Sequence, residues 1–490
     1  MLTFSSPALD RTPAEMLAVP TGQDADLHAD PLLRAVVAAA RELEEFTGEK
    51  DQKVLLYDPP GTRVRRCLVA GLGPKAKIDA EALRVFAALA VKTAMQAKRK
   101  RLLLAVPARE EVSVDGRAVV KALLEGAFLS NHAFEKYKAE PKAKTLDEIA
   151  LLLPPAEARA HKGLIEEVRA VCAATLQARE WVNIPPNEKP PLQFAGMVRA
   201  AAAGARLKVT VLNEAQLRQR KFGALAAVAA GSANPPCLVE LVYTPPKPAG
   251  TIVLVGKGVT FDTGGINLKP GASLEAMKCD MAGAAAVAAA VTALARLKAN
   301  RRIVGVLPLV ENMLSGRATR PSDIVVGYNG KSIEIGNTDA EGRLILADAM
   351  AYARKKYKPD VMVDVATLTG ACVVALGDRV AGLFCADDDL AEGLLAAGRA
   401  TQERCWRMPL PDDYREFLKS DLADIGNMPS TRNGAAITAA LFLSEFAGEG
   451  PWAHIDIAGP AYLKKSAEYG APGGTGFGVR LLCEWILRMP

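Results

Sequence analysis

The chain has 490 residues, half of them hydrophobic, and this fits two or three domains with well-packed cores rather than a single one. A formal net charge of +6 is modest for this length, and aromatic residues make up only 5%, so composition alone does not indicate a nucleic-acid or membrane surface. The eight cysteines include no C-x-x-C pair, which is typical of reduced thiols in the cytoplasm.

The N-terminal sequence and the apolar stretches of the chain also favour a cytoplasmic protein. The N-terminal sequence, MLTFSSPALDRTPAEM, has no basic start followed by an apolar run, so we expect no signal peptide. The longest apolar stretch, Met281–Leu294, has about 14 residues and is shorter than the ~20 that span a bilayer. We therefore predict a buried helix there and no membrane association.

Residues 1–165 alternate strand-like and helix-like patterns, which predicts a small α/β domain. The predicted strands are Lys53–Tyr57, Arg66–Val69, Arg101–Val106 and Ile149–Leu153, and the predicted helices are Leu32–Glu45, Ala80–Ala97 and Ala118–Leu129. The basic cluster Lys98–Arg101 (KRKR) is interpreted as a solvated helix end in preference to a nucleic-acid patch. No group of ligand-binding residues stands out in this part.

Apolar periodicity predicts a helix from Gly163 to Val182, which ends at the four prolines of NIPPNEKPP. We therefore divide the chain into an N-terminal α/β domain (1–165), a connecting helix and linker (166–186) and a larger C-terminal domain (187–490). Strands and Ala-rich helices alternate in the last part, which predicts a mostly parallel central sheet flanked by helices. The predicted strands are Leu207–Leu212, Leu238–Tyr243, Thr251–Val255, Ile303–Leu309, Val361–Ala366, Gly382–Cys385 and Trp452–Ile457.

In folds of this kind ligands bind beyond the carboxyl ends of the strands. Lys257 follows the strand Thr251–Val255 closely, and Thr367–Gly370 follows Val361–Ala366, so both segments are expected at the same edge of the sheet. The segment Gly256-Lys257-Gly258 is not a phosphate-binding P-loop, because that motif needs Ser or Thr directly after its lysine.

Three segments concentrate the charged residues that carry chemistry: VGKGVTFDTGGINLKP, MKCDMAGAAAV and NTDAEGRLILAD. They contain no histidine, and their candidate metal ligands are the carboxylates of Asp262, Asp280, Asp339 and Glu341. Four carboxylates carry too much negative charge for one divalent cation and suit two. The sequence therefore predicts a two-metal carboxylate site.

Lys257 is a candidate ligand only as the neutral amine, which costs about 4.6 kcal/mol at pH 7 for an ordinary lysine. Two adjacent dications can offset that cost, and the alternative is an ordinary ion pair. For Asp280, Asp339 and Glu341 the alternative is capping of the helices that follow them.

Lys269 and Arg343 lie in the same segments. Lys269 is a candidate for polarising a carbonyl group and stabilising an oxyanion, and Arg343 for holding a small anion or the gem-diolate. The alternative for both is charge balance within the acidic cluster. The residues together indicate hydrolysis by a hydroxide that bridges two metals, without identifying the bond that is cut.

These three segments, together with ENMLSGRATRPSDIV, ATLTGA and WAHIDIAGPAY, closely resemble the signatures of the leucyl aminopeptidase (cytosol aminopeptidase) family, in order from Trp181 to Leu482. The resemblance implies a metal-dependent aminopeptidase that prefers Leu and other apolar N-terminal residues. It further implies a homohexamer, a smaller N-terminal α/β domain of the macro-like type, and peptides as substrates.

The resemblance also assigns roles to residues. It implies that Lys257, Asp262, Asp280, Asp339 and Glu341 bind two divalent metals, Zn or Mn, with Asp262 and Glu341 bridging them. Lys269 and Arg343 are implied to be catalytic, and Arg343 to hold a bicarbonate ion that acts as general base. Met277 and Thr367 are implied to line the pocket for the first side chain, and Leu368 to bind the substrate through its backbone; plain core packing is the alternative for Met277.

This chain departs from the family pattern at Pro460 and Tyr462, which replace the usual threonine and tryptophan beside the substrate pocket. Some members of the family also bind DNA, but here only the KRKR cluster and the pI of about 8.8 point to such a role, so DNA is not expected as a partner. A catalytically inactive scaffold is disfavoured because every expected ligand is present.

Overall fold

The computed structural model describes residues 1–5, 9, 14–43, 45–140 and 144–489. The chain divides into two compact units, Met1–Cys172 with Lys465–Ala471, and Ala173–Lys464 with Pro472–Pro490. Both units are α/β, as the sequence predicts.

The first unit is built on a six-stranded sheet with the order β1-β6-β5-β2-β4-β3, in which only β3 is antiparallel to its neighbour. Its strands are β1 (Leu2–Ser5), β2 (Met16–Thr21), β3 (Lys53–Tyr57), β4 (Arg66–Gly71), β5 (Arg101–Ala105) and β6 (Glu148–Leu152). Its helices are α1 (Pro31–Arg41), α2 (Ala80–Gln96), α3 (Gly116–Ser130), α4 (Pro155–Ala160) and the start of α5 (Lys162–Asn183).

The sequence predicts β3 to β6 and α1 to α3 and misses β1 and β2. Strand β2 is buried along its whole length and contains Pro20, so it shows neither the alternation nor the composition that indicate a strand. The helix predicted over Leu32–Glu45 ends at Arg41, and the chain turns there so that Phe46 packs into the core. Glu44, within that predicted helix, lies outside the described residues.

The KRKR cluster forms the turn after α2 and the first residue of β5. Two of its cations have acidic neighbours: Lys100 Nζ lies 3.6 Å from Asp147, and Arg101 Nε lies 3.8 Å from Glu15. The solvated turn is therefore the better description of this cluster.

The second unit is built on a nine-stranded sheet with the order β16-β15-β18-β14-β9-β11-β8-β7, to which β10 adds by pairing with β11. Its strands are β7 (Lys208–Leu212), β8 (Cys237–Tyr243), β9 (Thr251–Gly256), β10 (Gly258–Asp262), β11 (Arg302–Asn312), β14 (Val361–Ala366), β15 (Ala381–Cys385), β16 (Cys405–Arg407) and β18 (Trp452–Asp456). The short strands β12 (Ile324–Val326), β13 (Ser332–Glu334) and β17 (Ile425–Gly426) form a second sheet, and β19 (Tyr462–Leu463) pairs with β20 (Gly473–Gly474).

Helices pack around this sheet. They are the end of α5, α6 (Pro191–Ala201), α7 (Glu214–Gln219), α8 (Gly223–Ala229), α9 (Gly271–Leu274), α10 (Ala282–Arg296), α11 (Glu341–Tyr357), α12 (Gly370–Leu376), α13 (Asp388–Thr401), α14 (Ala435–Ala447) and α15 (Val479–Arg488). By length and composition alone the stretch Gly271–Arg296 is long and apolar enough to cross a membrane, but 89% of its most apolar 18-residue segment is buried inside the protein. Helix α10 is therefore the core helix that the Ala-rich sequence predicts.

The centre of the sheet is parallel, because β9 lies between β11 and β14, and β14 lies next to β18, all in the same direction. The carboxyl ends of these four strands consequently form one edge. Lys257 directly follows β9 and Thr367 directly follows β14, so both lie at this edge, as predicted from the strand order in the sequence.

Candidate metal centre

Three carboxylates converge at the carboxyl edge of the sheet. Asp262, Asp280 and Glu341 are 1%, 5% and 2% exposed, and one oxygen from each lies within 4.8 Å of the others. Burying three like charges this close together is unfavourable unless cations neutralise them. The cluster is therefore built for positive charge.

Each carboxylate comes from a different element. Asp262 ends β10 and pairs in register with Asn312 at the end of β11, while Glu341 is the first residue of α11. Asp280 follows the 3₁₀ turn Met277–Cys279 and precedes α10 by two residues. Elements that begin or end at the same edge bring together residues that are as many as 79 positions apart in the chain.

The capping alternatives do not describe these side chains. Helix α10 has Met281 at its N-cap and α11 has Ala340, and neither N-cap makes a side-chain hydrogen bond to its helix. Asp280 instead accepts hydrogen bonds on Oδ1 from Lys257 Nζ at 2.8 Å and from Thr367 Oγ1 at 2.7 Å. The carboxylates thus point into the cluster and away from the helix ends.

Lys257 lies inside the cluster. Its Nζ is 2.8 Å from Asp280 Oδ1, 2.8 Å from Glu341 Oε1 and 2.8 Å from the carbonyl oxygen of Thr367, and its side chain is 3% exposed. Burial opposes the charged form, but the nearby carboxylates of Asp280 and Glu341 outweigh it and raise the pKa of Lys257 above its ordinary value. In this structure Lys257 therefore forms ion pairs with Asp280 and Glu341.

Lys269 closes the cluster on its more open side. Its Nζ lies 2.8 Å from Asp262 Oδ2 and also pairs with Asp339 Oδ1, and its side chain is 16% exposed. Asp339, at 34% side-chain exposure, is the most open of the four predicted carboxylates and lies outside the compact group of three. Burial lowers the pKa of Lys269, but the carboxylates of Asp262 and Glu341 outweigh it, so the net shift is upward.

Two oxygens of the cluster have no hydrogen-bond partner among the described residues. They are Asp280 Oδ2 and Glu341 Oε2, and both are buried. A buried carboxylate oxygen without a donor is costly unless a cation meets it. Carboxylate oxygens with one amine nitrogen form a donor set that suits hard and borderline divalent cations, so the residues present fit a metal site.

The pKa values of three of the four carboxylates are raised, chiefly by burial. Burial, followed by the charge of Glu341, raises the pKa of Asp262 to about 6. Burial also raises the pKa of Asp280 well above its ordinary value, and that of Asp339 to a smaller extent. For Glu341 burial acts in the same direction, but the charges of Lys257 and Lys269 prevail and lower its pKa.

Arg343 lies on the first turn of α11, two residues after Glu341. It is 6% exposed, and its Nη1 donates to the carbonyl oxygen of Asn427 at 2.6 Å. Burial lowers the pKa of Arg343 to about 10, which leaves the guanidinium charged at neutral pH. A buried guanidinium that stays charged offers N–H donors of fixed geometry to a small anion.

The three predicted substrate-binding residues lie next to the cluster. Thr367 is buried and contacts Asp280 through its hydroxyl group and Lys257 through its carbonyl. The backbone N–H of Leu368 donates to Asp456 Oδ1 at 3.1 Å. Met277 is half-buried in the turn that leads to Asp280, and the ring of Tyr462, where the sequence departs from the family pattern, lies 5.9 Å from Lys278 Nζ in that turn.

Sequence reasoning misses three polar residues that hold these groups in place. Asn312 Nδ2 donates to Asp262 Oδ1 at 2.8 Å and to the carbonyl of Thr338 at 3.0 Å. Asp456 accepts hydrogen bonds from the backbone N–H groups of Leu368 and Thr369.

The third residue is Asn427, which accepts from Gly336 N at 2.7 Å and donates to the carbonyl of Asn337 at 2.8 Å, so it holds the start of the NTDAEGR segment. Asn312 and Asp456 are the last residues of parallel strands that end at this edge. A polar residue at the carboxyl end of a parallel strand is a sequence signal for a site residue, and it applies to both Asn312 and Asp456. For Asn427, which lies after the two-residue strand β17, we find no comparable signal in the sequence.

Both parts of the chain match domains of one protein family. The model described as the cytosol aminopeptidase family, catalytic domain, matches residues 176–483, and that of the N-terminal domain of the same family matches residues 17–141. A probable cytosol aminopeptidase of Chlorobium luteolum is 42% identical over 511 residues, with 99% of each chain covered. Another, of Solibacter usitatus, is 42% identical over 490 residues, with 99% of this chain and 98% of the relative covered.

Solved structures are also similar to this chain over nearly its whole length. The bottromycin maturation enzyme BotP in complex with Mn has a TM-score of 0.87 at 38% identity, over 97% of this chain and 99% of that one. A mutant of tomato leucine aminopeptidase has a TM-score of 0.87 at 34% identity, over 100% of this chain and 96% of that one. The similarity therefore extends over both units.

Proposed function

Because this chain belongs to the cytosol aminopeptidase family, whose members hydrolyse peptides from the N-terminus with the help of metal ions, we propose that it releases single Leu-like and other apolar residues by a two-metal mechanism. The observation that carries the proposal is the buried group of Asp262, Asp280 and Glu341, with two oxygens that lack a hydrogen-bond donor among the described residues. We propose Lys257 and Asp339 as the remaining ligands, and Mn or Zn as the metals.

Two bound dications would supply Lewis-acid activation of the peptide carbonyl and of a water molecule. Lys269 is proposed to donate a hydrogen bond to the carbonyl oxygen of the substrate, since its ammonium is held at the open side of the cluster by Asp262 and Asp339. A fixed positive charge at the position where an oxyanion develops lowers the barrier without reorganisation.

Arg343 is proposed to hold a bicarbonate ion. Its guanidinium is buried, stays charged at neutral pH and is fixed at one nitrogen by the carbonyl of Asn427. Bicarbonate held by Arg343 would supply a base for proton transfer, which would make Arg343 a catalytic residue through the anion that it positions.

Substrate selection is proposed to rest on Met277, Thr367 and Leu368. Met277 offers an apolar wall for the first side chain, and Thr367, whose hydroxyl group donates a hydrogen bond to Asp280, is proposed to line the same pocket. Asp456 orients the Leu368 peptide, which would align the backbone of the substrate. A free N-terminal amine is required in this scheme because it would serve as a ligand to one of the cations.

We also propose that the protein is cytoplasmic and assembles as a homohexamer. Large hydrophobic side chains are exposed on the catalytic unit, among them Val374 at 90%, Leu422 at 71% and Trp406 at 66%, and a subunit interface would have such side chains to cover. Light scattering should give about six times the chain mass of 51.9 kDa. DNA binding is not part of the proposal, since two cations of the KRKR cluster already lie near carboxylates.

The test of the activity compares Leu-p-nitroanilide with its N-acetylated form, with and without a chelator. We expect the free-amine substrate alone to be cleaved, the chelator to abolish the activity, and Mn²⁺ to restore it. Equal cleavage of the acetylated substrate, or activity that survives complete removal of metal, would overturn the proposal.

A further inference from the structure

Lys189 is fully buried, which is rare for a lysine. It follows the 3₁₀ turn Pro186–Glu188 in the proline-rich linker. Its Nζ donates to three backbone carbonyl oxygens, those of Trp181 at 2.8 Å, Val182 at 3.0 Å and Lys278 at 2.8 Å, and it lies 3.5 Å from Met281 Sδ. An ammonium group is thus enclosed by carbonyl oxygens.

Such an arrangement is expensive for a purely structural side chain. Burial lowers the pKa of Lys189 to about 7, because desolvation disfavours the ammonium form. A methionine or leucine of similar volume would fill the same space without the cost of desolvating a charge. What only the lysine can do is hold the three carbonyls together.

The three carbonyls belong to two segments that are far apart in the chain. Trp181 and Val182 lie in the last turn of α5, where carbonyl groups have no partner within the helix. Lys278 lies in the turn Met277–Cys279, and its side chain returns to the carbonyl of Asn183 at 3.4 Å. Two lysines therefore fasten this turn to the end of α5.

This turn leads directly into Asp280. Hydrogen bonds hold this segment at two points. The carbonyl of Asp280 accepts from Val259 N of strand β10 at 3.2 Å, and the carbonyl of Lys278 accepts from Lys189 Nζ. The same turn carries Met277. A shift of the Lys278 peptide would thus move a carboxylate of the cluster and a wall of the proposed pocket together.

We propose that Lys189 is a positioning residue, whose ammonium fixes the Met277–Asp280 turn against the end of α5 and so sets the placement of the Asp280 carboxylate and the Met277 side chain. The inference rests on the proposed function, because it takes Asp280 as a metal ligand and Met277 as a pocket residue. In that scheme Asp280 serves one of the two ions, whereas Asp262 and Glu341 bridge both. The loss of Lys189 should therefore affect one metal site more than the other.

The test is calorimetric titration of MnCl₂ into the full-length apoprotein, for wild type and Lys189→Met. We expect wild type to bind two ions, and the variant to bind one of them about 10-fold more weakly, as is typical when a partner behind a metal ligand is lost. The kcat/KM preference for Leu-p-nitroanilide over Ala-p-nitroanilide should fall in the same variant. Lys189→Gln keeps two N–H donors and should show a smaller loss of Mn²⁺ affinity.

Phe194→Leu is the matched control. Phe194 on α6 is fully buried and packs edge to face on Trp181 at 5.6 Å between ring centroids, so its shortening loosens the same end of α5 with the contact to Lys278 intact. We expect this variant to lose thermal stability and to keep the Mn²⁺ affinities and the Leu preference of wild type.

Wild-type Mn²⁺ binding and Leu preference in folded Lys189→Met would overturn the inference, and so would an equal loss in Phe194→Leu. If neither Lys189 variant folds, the residue acts on the stability of the whole unit, and the positioning role is also rejected. If wild type itself does not bind two ions, the proposed function fails and the inference falls with it, an outcome that the wild-type titration alone reveals.

Discussion

Lys257 Nζ lies so close to Gly342 that a Cβ atom added at residue 342 would be only 2.7 Å from that nitrogen. The same nitrogen is 2.8 Å from Glu341 Oε1, the neighbour of Gly342 on the first turn of α11. Because residue 342 has no side chain, the side chain of Lys257 fits against the first turn of α11 and its amine reaches the carboxylates.

Gly342→Ala should consequently weaken metal binding. The added methyl group is compatible with the helix but forces the enclosed Lys257 side chain to move, and overpacking of this kind typically costs about 1–3 kcal/mol. We expect the affinity for Mn²⁺ to fall by about 10-fold or more in calorimetric titration, on the same energy scale. Gly370→Ala is the control, since Gly370 starts α12 and a Cβ there meets no atom within 4 Å. Equal Mn²⁺ affinity in wild type and Gly342→Ala would show that the space above Lys257 does not matter.

Lys269→Met tests the electrophile. The variant keeps the length of the side chain but removes the charge that Asp262 and Asp339 hold at the open side of the cluster. We expect kcat for Leu-p-nitroanilide to fall by about 10²–10³, the range measured when an oxyanion donor is removed elsewhere, while the protein retains two metal ions. Lys331→Met, which removes a surface ion pair with Glu445, should leave kcat unchanged.

The companion variant Asp339→Ala should lose metal, because Asp339 is proposed as a ligand and not as an electrophile. Elemental analysis after dialysis measures the metal content of both variants. Wild-type kcat in Lys269→Met would remove this residue from the catalytic set, and two retained ions in Asp339→Ala would remove Asp339 from the ligand set.

Asp456→Asn tests how the substrate-binding peptide is held. The carboxylate of Asp456 accepts hydrogen bonds from the N–H groups of Leu368 and Thr369, each at 3.1 Å, and from Thr369 Oγ1 at 2.8 Å. An amide can accept on only one of its two positions, and a hydrogen bond to a charged group contributes about 1.5–3 kcal/mol. We expect KM for Leu-p-nitroanilide to rise by about 10-fold, with metal content unchanged.

Asp364→Asn is the matched control for Asp456→Asn. Asp364 is equally buried on the neighbouring strand, and it pairs with Trp452 and His454 and makes no contact with the Leu368 peptide. It should lower the melting temperature with little effect on KM. A similar rise of KM in both variants would mean that general loosening of the sheet, and not the Leu368 peptide, controls substrate affinity.

Much of the catalytic unit is predictable from the sequence because its signals are local. Runs such as Val361–Ala366 are short and rich in valine, and the Ala-rich stretch that becomes α10 has the composition of a buried helix. The edge at which Lys257 and Thr367 meet follows from the rule that parallel strands end together.

What the sequence does not reveal depends on neighbours that are distant in the chain. Lys189 lies among four prolines and has the pattern of an exposed linker charge, yet it is buried because the carbonyl of Lys278, 89 positions later, comes to meet it. Strand β10 is missed because Lys257 alone separates it from β9. Both strands pair with β11, and the structure distinguishes them because β9 also pairs with β14.

Asp348 provides a pH-dependent test of the fold away from the metal centre. It is fully buried on α11 and accepts hydrogen bonds from Leu225 N at 2.9 Å and Tyr328 N at 2.7 Å. Burial raises the pKa of Asp348 to about 7, although these N–H donors oppose the shift.

The sign of the effect follows from proton binding. Between the ordinary pKa of about 4 and the raised value, the folded protein binds a proton at Asp348 that the unfolded chain does not, so this group makes the folded state less stable as pH rises through that window. Asp348→Asn does not titrate. The melting temperature of wild type minus that of Asp348→Asn should therefore decrease from about pH 5 to about pH 7 and then level off. Because both proteins are measured in the same buffers with the same Mn²⁺ concentration, the titration of the metal ligands cancels in the difference. A difference that stays constant across this range would mean that Asp348 has an ordinary pKa and that the Leu225 and Tyr328 donors fully compensate its burial.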